Sequence, residues 1–126
     1  MRVLFVDDDA MNRRVVKDML EVAGVVMDEA VDGQEGVDKV EQSDYDVVLM
    51  DLRMPGMDGL TAIGHIRERS DDKASIPIIV VTADTSVNIK EDCISGGADD
   101  VMAKPVAMKP LFKTMAQYIA AKAKKN

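Results

Sequence analysis

The chain has no tryptophan, one histidine, one cysteine and four aromatic side chains among 126 residues. A lone Cys93 cannot close an internal disulfide, so the fold must hold by packing, as suits a reducing cytoplasm. It also removes any C-x-x-C motif, and with a single histidine no Ser-His-Asp trio can be placed. His65 itself, in GHIRERS, reads as a solvated helix residue rather than a phosphate relay or ligand. A Walker P-loop is missing too. No apolar run approaches the ~18 residues that would span a bilayer, and the sequence reads without a secretory leader. Basic residues are scarce: 16 Lys plus Arg stand against 23 Asp plus Glu, for a net charge of −7. A surface of that sign repels phosphate backbones and argues against direct nucleic-acid binding. The basic end, AKAKKN, is short and reads as a solvated helix terminus.

What is present is a soluble globular balance, 47% hydrophobic and 31% charged, in a chain the size of one domain. Ten methionines against four aromatics predict a core of thioethers and aliphatics, with the methionines read as packing. Apolar runs at 3–6 (VLFV), 26–30 (VMDEA), 46–50 (DVVLM), 76–81 (IPIIVV) and 100–103 (DVMA) predict five strands. Three of them are continuously apolar, as in parallel strands covered on both faces. Between them, Met11, Val15, Met19 and Val22 form one helical stripe ending at Gly24, and Leu60, Ile63 and Ile66 form another beginning beside Asp58 and Gly59. Leu111, Met115 and Ile119, flanked by Phe112 and Tyr118, mark the last helix. Residues 34–43 and 86–96 read as two further helices, with Cys93 half-buried in the second and the Gly96, Gly97 pair ending it. Strict alternation predicts an α/β doubly wound sheet of five parallel strands in the order 2-1-3-4-5 with five helices, flavodoxin-like, over a single domain, 1–126.

In such a sheet ligands bind beyond the carboxyl ends of the strands, where strand order reverses. Asp7 and Asp8 follow strand one, Asp51 strand three, Thr82 strand four and Lys104 strand five, while strand two offers only Glu29 and Asp32. Three carboxylates meeting at one rim need a compensating cation, and an all-oxygen pocket suits a hard divalent ion such as Mg²⁺. Asp9 reads as the N-cap of helix one. The compact charge of Lys104 would neutralise an added anion, Thr82 adds a hydroxyl donor, and Ala83 leaves room for an approaching group. Metal, lysine, hydroxyl and carboxylate together are the parts of a phosphoryl-transfer site, where positioning and charge neutralisation carry the chemistry.

Through VDD at 6–8, MDLRMPGMDGL at 50–60, VTA at 81–83 and KP at 104–105, the chain resembles the receiver domains of response regulators nearly end to end. The resemblance implies a CheY-like fold and a phosphoprotein of two-component or phosphorelay signalling. Asp51 would be the phospho-acceptor, taking its group from a phosphohistidine on a histidine kinase or histidine phosphotransfer partner. Asp8, Asp51 and the backbone carbonyl of Arg53 would ligate Mg²⁺, with Asp7 acting through water. Thr82 and Lys104 would bind phosphoryl oxygens, the Lys104–Pro105 bond would be cis, and Pro55 and Gly59 would shape the loop after the acceptor. It implies no enzyme beyond self-phosphorylation and slow self-dephosphorylation. It also implies a switch that draws Thr82 inward and repacks the face of helix four, strand five and helix five. There the chain departs from the pattern, carrying Val101 where the family usually has an aromatic ring. Arg53 and Asp84 occupy positions that tune phosphoryl lifetime in the family, and an ion pair between them would partly screen the acyl phosphate from water. VDDDAMNRRVV with MDGLTAIGHIRE is most similar to receivers of hybrid histidine kinases, with docking expected on helix one around Met11, Asn12 and Val15.

Two alternatives use the same residues. A haloacid-dehalogenase-like phosphatase would take Asp7 as nucleophile and Asp9 as acid, but leaves MDLRMPGMDG unexplained. A receiver-like interaction module would signal without phosphorylation, yet no pocket residue is missing.

Overall fold

In the computed structural model, which describes residues 1–84 and 86–124, each apolar run becomes a strand and each interval a helix. The order is β1 (Arg2–Val6), α1 (Ala10–Val22), β2 (Val26–Ala30), α2 (Gly33–Gln42), β3 (Val47–Asp51), α3 (Gly59–Arg67), a 3₁₀ turn (Asp72–Ser75), β4 (Ile78–Thr82), α4 (Ile89–Ser95), β5 (Asp100–Ala103) and α5 (Met108–Lys124). All four strand pairings are parallel, in the order β2-β1-β3-β4-β5. Lys125 and Asn126, the tip of the basic tail, lie outside the described residues.

Every residue of β3 and β4 is buried, which is what a continuous apolar run means in a sheet sandwiched between helices. Alternate side chains go to opposite faces. Val3, Phe5, Val47, Leu49, Ile79 and Val81 pack with Val16 and Leu20 of α1 and Leu111 and Met115 of α5. Leu4, Val6, Val48, Met50, Ile78 and Val80 pack with Val40 of α2, Ala62, Ile63 and Ile66 of α3 and Cys93 of α4.

Several expectations are corrected. The buried row of α1 is Val16 and Leu20, whereas Met11, Val15 and Val22 are exposed at 69%, 44% and 79%. Two apolar rows run along that helix, and the sheet takes the one a residue further on. Cys93 is fully buried rather than half-buried. Met27, Met50, Met54 and Met115 are core, but Met1, Met11 and Met108 are exposed rather than part of it. Helix α4 begins at Ile89 rather than at 86, because Ser86 is spent on a turn around Asp84, to whose carboxylate it donates from both its backbone N–H and its hydroxyl. The 3₁₀ turn carried no apolar signal; Asp71 caps it through Lys73 N. Half-buried Arg67 closes this side of the fold, donating to the carbonyls of Gly97, Ala74 and Ile76 and to Asp99.

Candidate phosphoryl-transfer site

The parallel register brings the carboxyl ends of β1, β3, β4 and β5 to one rim. Asp51 is the last residue of β3 and Thr82 the last of β4, while Asp7 follows β1 directly. Among the described residues, Asp7, Asp51 and Thr82 are the buried polar ones, at 0%, 4% and 1% exposure. Asp8 is exposed beside them. Carboxylate oxygens of Asp7, Asp8 and Asp51 lie within 4.8 Å of one another.

Lys104 answers this crowd of negative charge. Its ammonium stands 3.0 Å from Asp7 Oδ2 and 3.4 Å from Asp51 Oδ1. Asp7 is held further by the backbone N–H of Asp9, donating to Oδ1 at 2.8 Å, and by the Asn12 amide at 3.5 Å. Burial lifts Asp51 above the ordinary carboxylate range, the Asp7 charge adds to the lift, and Lys104 opposes both. Burial alone would depress the Lys104 ammonium. Its bond to Asp7 and the charges of Asp51 and Asp7 outweigh that, so Lys104 holds its proton more tightly than an ordinary lysine. Its peptide bond to Pro105 is cis.

Asp7, Asp8, Asp9, Asn12, Asp51, Arg53, Ala83, Asp84, Ser86 and Lys104 line a cleft of about 490 Å³. Thr82 stands behind it: its hydroxyl accepts the Asp84 backbone N–H at 3.0 Å, and Ala83 takes the lining position. Across the mouth, the expected pair forms, Arg53 donating to Asp84 at 2.6 Å. The Ser86 hydroxyl and backbone N–H, then Arg53, hold the Asp84 carboxyl down at about 2. A larger groove of about 740 Å³, floored by Leu52, Met54, Leu60 and Ile89, adjoins the cleft but touches none of its three clustered acids.

The loop after Asp51 depends on a close approach. A Cβ on Gly59 would sit 2.2 Å from the Asp51 carbonyl oxygen, so only glycine lets α3 begin there. Gly59 N donates to Leu52 O, and Asp58 caps the helix through Thr61 N. Gly56, at φ +75°, makes the preceding turn.

Asp9 is the N-cap of α1, accepting Met11 N at 2.9 Å, and His65 is exposed, both as expected. Asn12, expected on a docking face, lines the cleft and reaches Asp7. Two participants were not anticipated, Ser86 and Arg13. Arg13 donates to the Asp7 backbone carbonyl at 2.7 Å, and nothing in its sequence neighbourhood separates it from Arg14. The donor set suits a hard cation: three carboxylates at one rim, two of them buried and served by a single ammonium.

The model of the response regulator receiver domain matches residues 3–116. The chain is a response-regulator receiver. Its sequence is 36% identical over 119 residues to the sensor protein GacS of Pseudomonas syringae, covering 93% of this chain and 13% of that protein. It is 33% identical over 120 residues to hybrid signal transduction histidine kinase G of Dictyostelium discoideum, covering 94% of this chain and 4% of that protein. The receiver thus spans a small part of these relatives, and about half of the response regulator MprA of Mycolicibacterium vanbaalenii, at 36% identity. Among solved structures, it superposes with a TM-score of 0.86 and 32% identity on the receiver domain of sensor histidine kinase PA1611 from Pseudomonas aeruginosa, over 94% of this chain and 97% of that one. That structure holds a magnesium ion coordinated in its active-site cleft. Chemotaxis protein CheY4 of Vibrio cholerae gives 0.85 at 31% identity, over 93% of this chain and 97% of that one. Among the described residues no helix is long and apolar enough to cross a membrane.

Proposed function

We propose that this receiver accepts a phosphoryl group on Asp51 from a phosphohistidine on a histidine kinase or histidine phosphotransfer protein. It then signals in the cytoplasm by protein contact or onward transfer. The observation that carries the reading is the Lys104 ammonium set between buried Asp7 and Asp51, with Asp8 at the same rim. An Asp51 carboxylate oxygen attacks phosphorus as the bond to the imidazole nitrogen breaks, and the freed imidazole takes its proton from solvent. Lys104 lies where it neutralises charge on the transferred oxygens. Thr82 supplies a hydroxyl to the same oxygens once it gives up its bond to Asp84 N. Asp7, Asp8 and Asp51, with the backbone carbonyl of Arg53, would hold Mg²⁺, which supplies charge neutralisation for the loose transition state when bound. Neither a turnover substrate nor a released product is part of this reading, so the domain is not an enzyme beyond transfer to and loss from itself.

Partner docking is assigned to the exposed apolar row of α1, Met11 and Val15, which lies beside the cleft that Asn12 lines. The phosphatase alternative asks Asp9 to act as acid, but its carboxylate is engaged as the α1 cap. Mass spectrometry after incubation with acetyl phosphate and Mg²⁺ tests the reading. Wild type should gain the mass of one HPO₃ group and Asp51→Asn should gain none. Modification retained in Asp51→Asn, or mapped to Asp7, overturns it.

A further inference from the structure

Of the three clustered acids, Asp8 is the exposed one, and its direction has no evident support. Asp7 is gripped by Asp9 N, Asn12 and Lys104, and Asp51 by Lys104. Among the described residues no hydrogen bond or ion pair engages the carboxylate of this exposed residue, so beyond its own side-chain torsions only the backbone sets where it points. We propose that Arg13 is the positioning residue that sets this aim, acting through the Asp7–Asp8 peptide. The inference rests on the reading of the acidic rim as a Mg²⁺ site.

Arg13 Nη1 donates to the Asp7 carbonyl oxygen at 2.7 Å, and its Nε donates to Glu29 Oε1 at 3.0 Å. The Arg13 side chain is 13% exposed, and its guanidinium spans from the end of β1 to β2 as a fork. Its own backbone is fixed in the first turn of α1 by a bond from Arg13 N to Asp9 O. Glu29 is steadied in turn by Lys17, 3.6 Å from its other oxygen, and by Lys39, which donates to the Glu29 carbonyl. On the opposite side, Asp7 N donates to Ala30 O at 3.1 Å. Both backbone polar groups of Asp7 are therefore tied to the end of β2, the amide directly and the carbonyl through Arg13. Because a peptide is planar, fixing the Asp7 carbonyl fixes the Asp8 nitrogen and Cα, and rotation about the Asp8 N–Cα bond is limited by the next residue, whose N–H is tied to Asp7 Oδ1 and whose carbonyl is tied to Arg13 N.

The sign of the effect separates positioning from charge. Removing a cation near the rim would, by Coulomb's law alone, strengthen the attraction for a divalent cation. Loosening the peptide that aims a ligand weakens it. Loss of a group that orients a metal ligand costs roughly 10–100-fold in affinity, and support through the backbone belongs at the lower end, about tenfold.

The test is Mg²⁺ titration by isothermal titration calorimetry on the full chain, comparing wild type with Arg13→Ala, Arg13→Lys and Glu29→Gln, with circular dichroism as the folding control. Arg13→Ala should weaken Mg²⁺ binding about tenfold, and Arg13→Lys, which replaces the fork with one donor point, should fall between it and wild type. Glu29→Gln should weaken binding less than Arg13→Ala. The acetyl-phosphate reaction should then need proportionally more Mg²⁺ for half its maximal rate, while the rate at saturating Mg²⁺ stays within about twofold of wild type. Should Arg13→Ala fail to fold, Arg13→Lys and Glu29→Gln decide the matter, and unchanged Mg²⁺ affinity in both overturns the proposal. If wild type binds Mg²⁺ and a folded Arg13→Ala binds it equally or more tightly, the role of Arg13 is wrong while the site stands. If wild type binds no Mg²⁺, the site reading falls and Arg13 with it.

Discussion

The Lys104 ammonium lies 3.0 Å from Asp7 Oδ2, and Asp7 is completely buried. One flexible, partly exposed side chain that follows the last strand thus neutralises a carboxylate that follows the first. Lys104→Ala would leave Asp7 and Asp51 facing each other without a cation. Losing one member of a fully buried pair costs about 3–5 kcal/mol, and the partial exposure of Lys104 brings the expected loss to about 1–3 kcal/mol. Urea unfolding measures it, and Asp7→Asn in the same chain should restore most of the loss.

Asp51 titrates above its ordinary range because it is buried beside Asp7. A carboxyl whose folded pKa is raised favours the fold while protonated, below its unfolded pKa, and that contribution is lost as pH rises through the folded value. Asp51→Asn should therefore melt at a higher temperature than wild type at neutral pH. The gap should close as pH falls below about 4, where wild type is protonated in both states. An equal melting difference at every pH would contradict this.

Gly59→Ala drives a methyl group into the Asp51 carbonyl, whereas Gly56→Ala meets open space and strains only its positive φ. Overpacking against backbone costs about 1–3 kcal/mol and should also displace Asp51, lowering phosphorylation yield. Gly56→Ala should cost about 1 kcal/mol and leave the yield unchanged. Paired denaturation and labelling measurements separate the two.

The Arg53–Asp84 pair closes one side of the cleft mouth, but the Arg53 side chain is 79% exposed. Exposed pairs are worth about 0.2–1 kcal/mol, which bounds its effect on hydrolysis at about fivefold. Arg53→Ala and Asp84→Ala should each speed loss of phosphate from Asp51 by about two- to fivefold, followed by the decay of labelled protein. Unchanged decay in both variants rules out screening by the pair.

On α1 the two apolar rows should behave oppositely. Leu20→Ala empties a fully buried site and should cost about 2–5 kcal/mol. Met11→Glu and Val15→Glu alter exposed positions and should change stability by no more than about 0.5 kcal/mol. They should slow transfer from a phosphohistidine protein while leaving the acetyl-phosphate reaction intact. Slowing of both reactions would place those residues outside partner docking.

The α1 rows also show where sequence reasoning stops. Asp7, Asp51, Thr82 and Lys104 were legible because a parallel strand's end is marked by the close of an apolar run, and each polar residue sits directly at that point. All five strands were legible for the same reason, with bounds displaced by up to two residues. Which row of α1 turns inward was not, since Met11-Val15-Met19 and Val16-Leu20 have the same helical spacing and only the sheet beneath selects between them. Arg13 was equally hidden: its partners, the Asp7 carbonyl and Glu29, are a backbone group and a residue 16 positions away. Cys93 reads as half-buried because the apolar pattern of residues 86–96 is weak, and it is the core shared with β4 and α3 that encloses it.

The residues of the cleft enter the chain at positions 7, 51 and 104, at the carboxyl ends of β1, β3 and β5, which meet at one rim only in the finished sheet. During synthesis, the acids therefore emerge long before the lysine that quiets them. A nascent or nicked chain that has not yet seated β5 keeps its negative rim unbalanced, so competence to receive a signal arrives as the last strand docks, and an unfinished copy stays silent.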